Sequence, residues 1–438
     1  MDNKDLFVIG AEFKELKYDG FLDWFVRISD LSIHLKNEPT YLISQFAFIF
    51  GGLVTFLHAM IRGGRLPYLW LGIVIHGLVI ECMCYILPDI DNFWHSQTPI
   101  ILLGRRLPLH IIFLYPCFVY NSSIGVAKMQ LPLWAEPFAV GLGSVLIDVP
   151  YDIVSVNFLH WTWHDTDPNI ADRHYWVPWN SYYFHSTFAA SFTFWFHITR
   201  KYICNSKGKW IPDQKWTKEI LCSVLAGLLG TPGGILLFLP IYHPLHDIFK
   251  IHSEVTYFIL LVTFLLIIWS ADRTPKKSDN VKSDQHSVHW STWLLVLYLL
   301  IHYVIFLIIP VFFNPEDEVA IGLKEPIGPC NEYTPIKTAF GMALQKRKYL
   351  CATDYDEKYF NWHCLPDNKP PSEGSYWYTA CGVPFPNRTE IIVIISLICL
   401  AGATIFGNLH FRSGGDSVFH HTNKNDKKSN SPVKIKKH

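Results

Sequence analysis

The chain is 438 residues long, half of them hydrophobic and only 17% charged, below the roughly 25% charged content of a soluble domain. Its 37 basic and 37 acidic residues give a formal net charge of zero, which argues against a nucleic-acid partner, since that needs a basic surface. What remains is a chain built mostly of bilayer spans, with the lipid bilayer as its first partner.

Residues 1–40 mix Lys, Glu and Asp with apolar residues and show no signal-peptide h-region, so the first span is expected to direct insertion itself. Nine apolar runs follow: 41–60, 67–87, 107–127, 133–159, 181–199, 219–240, 255–271, 290–313 and 390–410. Lipid offers the backbone no hydrogen-bond partners, so these runs are read as helices. The expected fold is an all-α polytopic bundle of about nine helices, with spans 1–8 in residues 41–313. The segment 314–389 is a small disulfide-stapled extramembrane unit, 390–410 the last helix and 411–438 a basic, disordered cytosolic tail.

Lys and Arg set the orientation. Arg200, Lys201, Lys207, Lys209, Lys215 and Lys218 crowd one loop, and Arg273, Lys276, Lys277 and Lys282 the next; the tail after His410 is basic again. Placing these in the cytosol puts residues 1–40, 160–180 and 314–389 on the opposite side. Arg105 and Arg106 fall on the wrong side of that threading. On the non-cytosolic side, Cys330, Cys351, Cys364 and Cys381 read as two disulfides, with three pairings open. Asn387-Arg-Thr is a glycosylation sequon, and Asn121-Ser-Ser a chance match in an apolar run. The end Lys434-Ile-Lys436-Lys437-His438 resembles a dilysine signal for retrieval to the endoplasmic reticulum. In the sixth span, Gly227, Gly230, Pro232, Gly233 and Gly234 suggest either a broken helix beside a cavity or close contact through small residues.

Residues 148–185 concentrate four histidines, five aspartates and four tryptophans. In the fourth span Ser144, Asp148, Asp152 and Ser155 share one helix face. Two carboxylates one turn apart in low dielectric repel and favour a shared proton, which suits a general acid. Intramembrane carboxylates are costly and are read as functional by default; hydrogen bonding to neighbouring helices is the plainer role. Beyond them, His160, His164, Asp165, Asp167, Asp172 and His174 offer imidazole and carboxylate ligands for a divalent metal, although no complete zinc signature is present. The turn sequence Asp165-Thr-Asp167-Pro168-Asn169 ends any helix there. Trp161, Trp163, Tyr175 and Trp179 serve as an interfacial belt or line a slot for a lipid chain, with Asn180 and His185 alongside. His76 and Glu81 in the second span, and His243, His246 and His252 after the sixth, are secondary candidates.

Asp148-x-x-x-Asp152, then Trp161-Thr-Trp163, then Tyr175-Trp-Val-Pro178-Trp-Asn180 resembles the central pattern of the carotenoid hydratase-like family of prokaryotic polytopic membrane proteins. Asn180 falls one place early against that pattern. The insert 165–174, the cysteine segment and the dilysine-like tail depart from it, and look like an animal, endoplasmic-reticulum version. The resemblance implies a helical bundle with a lipid-like pocket and acid-catalysed chemistry on an isoprenoid double bond. The leading expectation is therefore an intramembrane enzyme on an isoprenoid or acyl lipid. Asp148 and Asp152 would be the acid/base pair, and His164, Asp165 and His174 would assist. That reading needs no cofactor. The alternatives are a lipid-binding protein or transporter, and a metal-dependent lipid hydrolase or oxidase.

Overall fold

The computed structural model describes residues 6–204, 208–272, 288–338, 340–411 and 418–419. The basic segment around Arg273, Lys276, Lys277 and Lys282, and the tail with its dilysine-like end, lie outside them.

The main helices are α1 (Pro39–Arg62), α2 (Leu66–Ile86), α3 (Ile111–Ala127), α4 (Glu136–Asn157), α5 (Trp179–Ile203), α6 (Trp216–Tyr242), α7 (Ser253–Asp272), α8 (Thr292–Phe312) and α9 (Arg388–His410). Seven of these segments are long and apolar enough to cross a membrane, α6 being counted through to Ile248. Two expected spans differ. The run 107–127 yields only the shorter α3, since Leu107–Pro108 pairs as a strand. Pro116 then opens a wider turn over Pro116–Tyr120, because it has no N–H to donate. The fifth run gives the long helix α5, but its Ser, Thr, His and Tyr side chains keep it outside the seven.

Close approach holds the bundle together. A Cβ added at Gly141 of α4 would lie 2.2 Å from the Ser186 carbonyl oxygen of α5. Gly227, Gly230 and Gly234 of α6 meet Ile75, His76 and Phe188 in the same manner, and α6 runs unbroken through Pro232. The glycine-rich run is thus a helix-packing surface. In α4, Pro150 cannot bond to the Leu146 carbonyl. The Tyr303 hydroxyl of α8 donates to that oxygen at 3.4 Å, and His302 Nε2 lies 3.0 Å from the next carbonyl, Ile147. Outward-facing Phe46, Leu57, Leu266, Leu297 and Leu400 remain exposed, as a lipid-facing surface requires.

The two ends of the bundle differ. At one end Arg65 and Arg200 both bond Glu219, at 2.8 and 3.0 Å, Lys209 pairs with Glu136, and Lys128 Nζ donates to the His410 carbonyl at 2.7 Å. At the other end, residues 6–38, 87–110, 158–178 and 314–389 interlock as a cap. Short antiparallel strands stitch it: Val26–Ile28 to Ile100–Leu102, Phe93–His95 to Trp161–Trp163, and Val319–Leu323 to Trp377–Gly382. These strands are a departure from the all-α expectation, confined to the cap. The buried indole of Trp377 donates to the Leu6 carbonyl at 3.1 Å. The disulfides are Cys330–Cys351 and Cys364–Cys381, with Cα separations of 4.7 and 5.8 Å. Arg105 and Arg106 belong to the cap, where Asp23 and Asp91 pair with them.

Candidate functional site

The fourth helix, deeply buried, presents Asp148 and Asp152 to α5. The Asp152 carboxylate accepts from the Ser181 hydroxyl at 2.7 Å, and His185 Nε2 lies 3.6 Å from Asp148 Oδ2. Asp148 is completely buried, and its carboxyl shares a side-chain hydrogen bond with that of Asp152. One ligand atom from each of Asp148, Asp152 and His185 falls within 4.8 Å of the others. Pro178 starts α5, and one turn separates Ser181 from His185 along it, so each meets a different aspartate. Of the outer members of the aspartate face, Ser144 bonds its own helix at Val140, and the Ser155 hydroxyl is buried without a partner. Glu81 stands nearby on α2. It accepts from the Tyr115 hydroxyl at 2.8 Å, lies 3.6 Å from His95 Nε2 and is within electrostatic range of His185. Glu81, Cys84, His95 and Arg106 line a cleft at the cap end of α2. His76, by contrast, stacks on Phe192 at 5.2 Å.

The histidine- and aspartate-rich loop does not converge on that pair. His160 stacks on Tyr41 at 4.5 Å, with its Nε2 3.0 Å from the Thr40 hydroxyl. His174 stacks on Trp179 at 4.8 Å and lies 3.2 Å from the Tyr182 hydroxyl. Asp167 pairs with Lys346, and Asp172 with His252 and His246; His243 and His246 both bond Asp247. The aromatic residues are dispersed as well. Trp161 packs on Tyr151 at 5.0 Å, Trp163 on Phe93 at 5.3 Å, and the Tyr175 hydroxyl donates to Glu390 at 2.5 Å. The Asn180 amide donates to the Asn169 carbonyl. Asn387, the sequon residue, caps α9, with its side chain bonded to Glu390. Asn121 is buried and bonds the Cys117 carbonyl.

His164 and Asp165 enter a second buried group, completed by Glu325 of the cap. His164 Nε2 lies 2.7 Å from Glu325 Oε1, the Asp165 N–H donates to Glu325 Oε2 at 3.2 Å, and ligand atoms of all three fall within 4.8 Å of one another. Burial pushes each towards its neutral form. His164 is lowered to about 4, Asp165 is raised to about 7 with Glu325 adding repulsion, and Glu325 is raised to about 8.

One family model, for a domain of unknown function (DUF7802), matches residues 13–411. The chain belongs to the DUF7802 family. The DUF7802 match takes in the bundle and almost all of the cap, so the two buried groups lie inside one family unit. None of the curated proteins and none of the solved structures matches the chain. Within this DUF7802 unit, sequence reading found Asp148, Asp152, His164 and Asp165, but not Ser181, Glu325 or the pairing of Glu81 with Tyr115. Ser181 opens the fifth apolar run as an ordinary polar residue. Glu325 stands in Leu-Lys-Glu-Pro of the cap, a stretch with no ligand spacing, and only the fold carries it to His164.

Proposed function

We propose that the chain is a membrane-embedded enzyme that acts on an isoprenoid or acyl lipid by acid/base chemistry at Asp148 and Asp152. The observation that carries this reading is the Asp148 carboxyl: fully buried, one turn from a second carboxyl with which it shares a side-chain hydrogen bond, and with an imidazole 3.6 Å away. A buried intramembrane carboxyl with no cationic counter-charge bonded to it is costly, and function is its default reading. On an alkene, the protonated member of the pair gives its proton to one carbon, the π bond breaks, and a carbocation forms at the other. Water adds there and returns a proton to the carboxylate. The remaining negative charge and nearby aromatic faces stabilise the cation.

In this reading the chain crosses the membrane nine times, α3 and α5 included. Polar α5 is acceptable because it is enclosed by α4 and α6. The cap and the N-terminal segment are non-cytosolic, and the dilysine-like tail keeps the protein in the endoplasmic reticulum. A second reading, a metal-dependent lipid hydrolase or oxidase, is favoured by the 4.8 Å grouping of Asp148, Asp152 and His185. The transporter reading has less to stand on, since α6 is continuous.

The test compares Asp→Asn with Asp→Leu at positions 148 and 152. Under the acid/base reading, Asp148→Asn or Asp152→Asn abolishes the lipid difference between expressing and non-expressing cells, at normal abundance. Normal lipid profiles with the double Asn variant would overturn it. Metal bound to the wild type and lost on His185→Ala would favour the second reading.

A further inference from the structure

The meeting of cap and loop at His164 needs an explanation beyond packing. Val319–Leu323 pairs with Trp377–Gly382, the Lys324 N–H bonds the Tyr376 carbonyl, and the Tyr378 hydroxyl bonds the Glu325 carbonyl at 2.7 Å. The Glu325 backbone is therefore rigidly held, with its carboxylate against the loop that leaves α4. His164 is held from the other side, because its N–H bonds the Asn92 carbonyl at 2.8 Å and its carbonyl accepts from Arg173 at 3.0 Å.

We propose that His164, Asp165 and Glu325 bind a divalent cation of the zinc class, and that this cation fastens the cap to the loop 158–178. Three observations support the site. All three side chains are at least nine-tenths buried, yet neither Asp165 oxygen accepts a hydrogen bond. The neighbouring cations are committed elsewhere: Lys346 faces Asp167, Arg173 pairs with Glu357, and Arg347 holds Asp354 at 2.9 Å while reaching Asp165 only at 4.0 Å. The donor set, one imidazole and two carboxylates, is zinc chemistry. Ligand atoms on a tetrahedral zinc sit roughly 3.3 Å apart, and one ligand atom from each of the three residues already falls within 4.8 Å of the others. Three protein ligands leave a fourth position for water. His174, six ångströms from Tyr182 between ring centres and stacked on Trp179, takes no part.

The inference is independent of the chemistry at Asp148, and the experiment separates the two. Full-length protein is purified in detergent without chelator, and its zinc is counted by elemental mass spectrometry. We expect roughly one zinc per chain, lost in Glu325→Gln and His164→Ala and retained in the Asp148→Asn/Asp152→Asn double variant. Chelation should speed protease cleavage within 314–389, and added zinc should restore protection. In zinc titrations Asp165→Asn should weaken affinity more than roughly tenfold, since even supporting partners of a metal ligand are worth that much. The proposal is overturned if wild-type protein neither carries nor binds zinc or manganese, if Glu325→Gln keeps its full metal, or if the metal leaves with Asp148 and Asp152 instead. Should a variant fail to fold, the wild-type titration and chelation arms still decide.

Discussion

A buried charge is stable only with its partner. The clearest case is Glu219, whose two oxygens serve Arg65 and Arg200 with all three side chains almost out of solvent. Arg65 also donates to the carbonyls of Lys209 and Phe196 and lies over the Phe196 ring at 4.1 Å. Glu219→Gln leaves two guanidinium groups buried without a counter-charge, which costs about 3–5 kcal/mol. The expected outcome is a marked drop in melting temperature in detergent, with Arg65→Lys falling between, because lysine keeps the charge but not the fork. An unchanged melting temperature for Glu219→Gln would mean that water reaches this network. Asp148 faces a second carboxyl and an imidazole in place of two guanidinium groups, and that contrast between two buried carboxyls is what marks it out. Both aspartates, and His164 beside Asp165, stand out in the sequence by residue type and spacing. Which of them acquire partners could not be read there, because Ser181 and Glu325 have no spacing relation to them.

Helices of the bundle meet where side chains are absent. Gly141 faces the Ser186 carbonyl oxygen, a backbone atom that cannot rotate away, so Gly141→Ala should lower the yield of folded, monodisperse protein severely. Gly407 on α9 has nothing within 4 Å of an added Cβ. Gly407→Ala should be tolerated, and should stabilise by up to about 1 kcal/mol through helix propensity. Fluorescence-detected size-exclusion melting of the two variants side by side checks both; similar behaviour would show that the α4–α5 contact is looser than described. In the cap, the bond Cys364–Cys381 closes a loop across 17 residues, worth about 3 kcal/mol by chain entropy. Replacing both cysteines by Ser should speed proteolysis of 314–389 while the bundle survives. Equal cleavage rates would assign the cap's stability to its strands and to Trp377 instead.

At the scale of the whole molecule, every segment of the cap leaves or enters its helices at the same end of the bundle. Impermeant labelling of single cysteines should therefore give one pattern. Ala171→Cys in the loop after α4 and Tyr333→Cys in the cap, both exposed, should label from the same side. Trp216→Cys, exposed at the start of α6, should label only from the other. Labelling of positions 171 and 333 from opposite sides would contradict the packing of Asp165 against Glu325.

Hydropathy is a local property, and the local facts were legible in the sequence. Apolar runs marked where α1, α2, α4 and the later helices lie, since lipid demands that each run satisfy its own backbone. The even set of cysteines marked the cap as stapled, and the aspartates of α4 were seen to share a face. The tertiary structure alone decided what depends on distant segments meeting. It chose one disulfide pairing of three. It turned Trp161–Trp163 into a strand against Phe93–His95, drew His160 and His174 away from the aspartates, and spread the tryptophans through the core. It brought Glu325 to Asp165 across 160 residues. Such contacts are set by how the helices and cap pack as a whole, and no window of sequence contains both partners.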